Sequence, residues 1–157
     1  MEFKNTVDIE IYLMTIDGTA HAEKLPAYAL GNNTYEIISS PGIAFNIAKG
    51  DIVEILSREV PPKIIKRGGN ICVQVYSLQL LSYINVSDFE YEVQEKLCGT
   101  LDGMTANNLA FTIPLSAGFT SIENLFDAFT SENESGWSYG NIYDEEDVPL
   151  NWWLEEN

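Results

Sequence analysis

Turn signals recur so closely through the first half of this chain that they leave room for strands and little else. Asp17-Gly18, Gly31-Asn32-Asn33, Pro41-Gly42, Gly50-Asp51 and Arg67-Gly68-Gly69-Asn70 divide it into segments of strand length. In the first segment Val7, Ile9, Ile11 and Leu13 alternate with Asp8, Glu10 and Tyr12, the period of a strand with one wet face. Residues 25–30 and 34–39 read as hairpin partners about Asn32-Asn33, and residues 52–56, 63–66 and 71–78 as further strands, the last two joined by the Gly68-Gly69 turn. Pro61-Pro62 interrupts the series, because proline cannot donate to a ladder. The expected result is a small, curved antiparallel sheet or half barrel, built before any helix begins.

From residue 87 the period changes. Phe89, Val93, Leu97 and Leu101 recur every four residues, with Asp88, Glu90, Glu92 and Glu95 on the opposite face. Ser87-Asp88-Phe89-Glu90 has the form of a capping box, as does Thr120-Ser121-Ile122-Glu123 ahead of an apolar stripe of Ile122, Leu125, Phe126 and Phe129. Residues 109–113 read as a buried strand closed by Pro114, and residues 136–143 alternate again. The second half is therefore expected to run strand, helix, strand, helix, strand, with the helices on one face of a sheet, giving an α+β fold. At 157 residues the chain suits one domain, able to bury roughly 70% of its unfolded surface. Residues 1–143 are expected to form that domain, and 144–157 an acidic, Trp-containing C-terminal tail.

Charge narrows the function. The formal net charge is −16. The first 96 residues hold thirteen acids and eight bases, whereas the last 61 hold eleven acids and no Lys or Arg. Such a surface repels nucleic acid and anionic membranes and steers encounters with cationic molecules. No apolar run approaches the roughly 20 residues of a membrane span, and no charged-then-apolar secretory signal is visible at the N-terminus. Cys72 and Cys98 are far apart and outside any C-x-x-C arrangement, which predicts two reduced, buried thiols in a cytoplasmic protein.

Catalytic signatures are missing. The single histidine, His21, follows a turn, and no Gly-x-Ser-x-Gly elbow accompanies it. Cys98 lacks a base that would lower its pKa. Neither a phosphate-binding Gly-rich loop nor a His/Cys cluster with metal spacing occurs, and Asp144 to Asp147 lacks the alternating ligands of a calcium loop. The expectation is a protein that is not an enzyme and uses no cofactor or metal; a small hydrolase acting through its many carboxylates is the alternative in that class.

In pattern the chain resembles the bacterial proteins catalogued as domain of unknown function family 4265. Glu23-Lys24-Leu25-Pro26-Ala27 matches an early Glu-x-Leu-x-Ala, and Pro41 leads an apolar stretch to Gly50-Asp51-Ile52-Val53. Gly68-Gly69-Asn70-Ile71-Cys72-Val73, Leu97-Cys98-Gly99, Pro114 and Gly136-Trp137-Ser138-Tyr139 continue the match, which spans residues 7 to 143. Pro26 stands where an aromatic is usual, and Gly42-Ile43 where the family has a bulky aromatic pair. The resemblance implies a fold and carries no activity or catalytic residue with it.

The sharpest candidate site mixes acids with aromatics. Tyr143 precedes Asp144, Glu145, Glu146 and Asp147; Trp152 and Trp153 follow, with Glu155 and Glu156 beyond. Trp and Tyr anchor interfaces, and surrounding charge sets association rate. These nine residues are expected to bind a basic protein partner. A small, acidic, catalytically empty protein has the physical character of a bacterial immunity protein that neutralises a cationic, nuclease-type toxin domain, and that is the functional expectation; a regulatory or interaction module whose acidity only solubilises is the alternative.

Overall fold

The structure, a computed structural model, describes residues 4–154. Its first sheet is a meander of β1 (Asn5–Ile16), β2 (Thr19–Gly31), β3 (Thr34–Ile37), β4 (Ile52–Glu54) and β5 (Lys63–Lys66), each paired antiparallel with its sequence neighbour. Two-residue turns make the first two hairpins. Asp17 and Gly18 have φ of 50° and 78°, and Asn32 and Asn33 have 55° and 61°, the positive pair that matches strand twist. Register shifts between Tyr12 and Met14, Ala29 and Gly31, and Ile52 and Val53 mark bulges that bend the sheet. The sheet stays open, with β1 and β5 at its edges. One face buries Ile9, Ile11, Leu25, Ala27, Ile37 and Val53 beneath Ala44 and Ile47 of the long β3–β4 connection.

The second sheet contains β6 (Asn70–Ser77), β7 (Thr100–Met104), β8 (Asn108–Pro114) and β9 (Ser135–Tyr139) in the order β7-β8-β6-β9, all neighbours antiparallel. Helix α1 (Val86–Leu97) connects β6 to β7, and α2 (Phe119–Glu132) connects β8 to β9. This is the doubled split β-α-β arrangement of ferredoxin-like folds. Period two in the central strands turns Ile71, Val73 and Val75 of β6 and Leu109, Phe111 and Ile113 of β8 toward the helices, whose Phe89, Val93, Leu97, Ile122, Phe126 and Phe129 complete the larger core. Phe89 stacks on Phe129 at 3.8 Å between ring centroids and meets Phe111 and Phe126 edge-on. The opposite face of β6 presents Cys72 and Gln74 to the β3–β4 connection, so that connection is packed between the two sheets.

The α+β class, with an N-terminal curved antiparallel sheet, is as expected, but four local features differ. The Gly68-Gly69 turn does not make a hairpin: β5 and β6 lie in different sheets, and the turn is the crossing between them. Helix α1 ends at Leu97, where Cys98 takes φ 55°, and Leu101 belongs to the additional strand β7. The cap of α1 is Asn85, whose side chain accepts from the Asp88 N–H, and α2 starts from Gly118 with no side-chain cap. Finally, β2 begins at Thr19, so His21 and Glu23 are strand residues.

Candidate functional site

Residues 141–154 fold back onto the second half of the molecule. Tyr143 bridges to Pro149, and the Leu150 N–H donates to the Ile142 carbonyl. Between them Asp144 organises a tight turn: its Oδ1 accepts from the N–H groups of Glu146 at 2.8 Å and Val148 at 2.9 Å. One carboxylate thus acts locally, while Glu145, Glu146 and Asp147 stand exposed. Among the described residues, none of the four acids forms a salt bridge.

This turn forms one wall of a cavity of about 440 Å³. Tyr12 and Leu13 line it at the bulge of β1, where two consecutive residues reach the same cavity instead of alternating. Pro61, Pro62 and Phe45 also line it. Phe45 also borders a second hollow of about 550 Å³, shared with Tyr139, Tyr143 and the acids 144, 145 and 147. The two hollows therefore form a groove divided by Phe45.

Of the residues expected at the site, Tyr143, Asp144, Glu145, Glu146 and Asp147 all lie on the groove. Trp152 and Trp153 do not line it; both are half-buried against the larger core. Trp152 donates its Nε1–H to the Asn141 carbonyl at 2.7 Å and lies 5.5 Å from the Arg67 guanidinium, and Trp153 packs edge-on to Phe119. Arg67 in turn donates to the Asn46 carbonyl and side chain, and Asn46 lines the cavity, so Trp152 is linked to its wall through Arg67. Asn141 is buried and joins Cys72 N–H to the Asn70 carbonyl. Glu155 and Glu156 lie outside the described residues. Phe45 is the residue the sequence hid, because nothing in Gly42-Ile43-Ala44-Phe45-Asn46-Ile47 separates Phe45, 45% exposed, from Ala44 and Ile47, which are buried.

Three carboxylates away from the turn, Glu23 and Asp102 half-buried and Asp51 buried, hold backbone. Glu23 accepts from the N–H groups of Gly42, Ile43 and Ala44 at 2.7–3.0 Å. Asp102 accepts from Ser40 N–H, Thr100 and Thr112. Asp51 accepts from Ala48 N–H, Gly68 N–H and Arg67. Burial raises the Asp51 carboxyl above its ordinary value, against the pull of the Gly68 N–H and the Arg67 charge. Burial likewise pushes the Cys72 thiol far up, with Glu23 and Asp102 adding to it, which removes it as a nucleophile. Cys98, expected to be buried, is exposed at the left-handed end of α1. The His21 side chain is exposed and has no hydrogen-bond partner among the described residues. No group of three or more His, Cys, Asp or Glu among them could hold a metal ion.

A family model described as a domain of unknown function, DUF4265, matches residues 23–139. The match includes Phe45, Pro61 and Pro62 and ends before Tyr143 and the acidic turn. No curated protein matches the chain. Among solved structures, a hypothetical protein from Neisseria gonorrhoeae is similar at TM-score 0.62 and 17% identity, over 89% of this chain and 96% of that one. That likeness is one of fold.

Proposed function

The chain belongs to the DUF4265 family, and from that premise we propose that it is a non-catalytic binding protein for a basic polypeptide. In this reading it is an immunity protein that captures a cationic, nuclease-type toxin domain in the cytoplasm. The observation that carries the proposal is the exposed turn at 144–147, whose four acids have no salt-bridge partner among the described residues and lie beside Tyr143 and Phe45. The charge accelerates encounter with a cation-rich surface, and the aromatic side chains slow release. A hydrolase reading is less well supported, since Glu23, Asp51 and Asp102 are engaged by backbone donors and the His21 side chain is exposed and without a hydrogen-bond partner among the described residues.

The test is capture from the native cell at low and high salt, comparing the parent chain with an Asp144→Asn, Glu145→Gln, Glu146→Gln, Asp147→Asn variant. Asn at 144 keeps the oxygen acceptor that shapes the turn. A basic polypeptide retained by the parent at low salt, and released by high salt and by the variant, is the expected result. Toxicity of that polypeptide when expressed alone, relieved by co-expression of this chain, would establish immunity. Equal retention by parent and variant would remove the turn from the mechanism.

A further inference from the structure

The β3–β4 connection combines a pinned backbone with displayed apolar side chains. Between Ser40 and Asn46 its N–H groups donate to Asp102, to Glu23 three times and to the Gly140 carbonyl, while Gln74 donates to the carbonyls of Pro41 and Ala44. Ala44, Ile47 and Ala48 are buried beneath it. Yet Ile43 and Phe45 point outward, 57% and 45% exposed. A segment held from both sheets loses little freedom when a partner binds, and that lowers the ordering cost that limits most interfaces.

Resting on the basic-partner reading above, we propose that Phe45 is the anchor of this surface and that the divided groove seats an extended segment of the partner carrying arginine. The chemistry of the chamber beside Tyr12 selects the side chain. Tyr12, Phe45 and Tyr143 offer aromatic rings and Pro61-Pro62 an apolar wall, while Glu145 and Glu146 contribute uncompensated charge at the rim. A planar guanidinium stacks on aromatic faces while donating to carboxylates, a pairing that an ammonium group meets less well. The second chamber continues past Phe45 along the same acidic turn, so the occupant is a chain segment, longer than one side chain.

The experiment is an amide NMR titration of the full chain with a blocked Ala-Arg-Ala-Arg peptide and its citrulline counterpart, which keeps shape and loses charge. Shifts confined to Tyr12, Phe45 and Tyr143 to Glu146 with the arginine peptide, at least about fivefold weaker with citrulline, are expected. Phe45→Ala should weaken binding by about the same factor. Phe45→Leu, which preserves apolar bulk, should weaken it in the same direction with the fold kept. Arginine-peptide shifts spread over the acidic face of α1 as strongly as over the groove would overturn the proposal, as would citrulline binding equally well. If Phe45→Ala binds like the parent while the four-fold neutralised variant does not, the groove assignment fails and the basic-partner reading survives.

Discussion

At the level of single residues, the positions that carry the family pattern hold the two sheets together. Gly50, with φ 93°, Asp51, Gly68 and Asn70 meet where the chain passes from one sheet to the other: Asp51 accepts from Gly68 N–H, and Asn70 donates to the Lys49 carbonyl. A Cβ on Gly68 would fall 2.5 Å from the Gly50 carbonyl carbon and 2.8 Å from its Cα. Those atoms are backbone and cannot rotate aside. Gly68→Ala should therefore destabilise the protein by about 1–3 kcal/mol, the usual cost of overpacking, and lower Tm by roughly 2–4 °C per kcal/mol for a chain of this size. A thermal scan showing no loss would mean that the junction yields. Glu23 is explained in the same way, since its carboxylate caps three N–H groups of the β3–β4 connection while Leu25 and Ala27 of the same motif face the core.

Among the elements, the acidic turn is closed by backbone bonds from Asp144 N–H to the Val148 carbonyl and from Asp147 N–H to the Asp144 carbonyl, and one side chain adds to them. Asp144→Ala deletes the acceptor for the Glu146 and Val148 amides. Both should then exchange with solvent faster, by about fivefold for the loss of about 1 kcal/mol each, with little change in Tm because the turn is exposed. Asp144→Asn should restore protection, and unchanged exchange in the alanine variant would assign the turn's shape to its backbone alone. The sequence made legible what depends on local chemistry: the Asp17-Gly18 turn, the Asn32-Asn33 hairpin, both helices and β8 with its closing Pro114, as well as the run of acids that forms the turn at 144–147. It hid β7, because Leu101 continues the four-residue spacing of Phe89, Val93 and Leu97 and only the left-handed Cys98 interrupts the helix before it. It also hid the crossing at Gly68-Gly69, since a tight turn looks the same whether the strands it joins pair with each other or diverge into separate sheets. Phe45 escaped for a related reason: its exposure is decided by Glu23, Gln74 and Gly140, contacts twenty or more residues away.

For the whole molecule, charge should dominate the response to pH. Asp51 holds its proton more tightly folded than unfolded, so its contribution is full below the unfolded pKa and declines as pH rises through the folded value. Tyr139 is also shifted up, by burial and by donation to Glu123, and Cys72 by burial; their contributions are lost on the alkaline side as the unfolded chain ionises first. Self-repulsion from a net charge of −16 acts in the same direction. Tm is accordingly expected to rise as pH is lowered from 8 toward about 5, and added salt to raise it more at pH 8 than at pH 5, where screening has less repulsion to relieve. A Tm that climbs with pH across this range would contradict the account. No helix among the described residues is long and apolar enough to cross a membrane. The shared β3–β4 connection also has a consequence for how the protein is made. Every strand of the first sheet pairs with its neighbour in sequence, so the meander can form as soon as it leaves the ribosome. The Ser40 amide, however, waits for Asp102, which is 62 residues downstream, and Asn46 for Gly140, after the last strand. A nascent chain thus passes through an interval with one sheet built and its covering loop held only from that sheet, by Glu23, and that interval is when a chaperone would have apolar surface to hold.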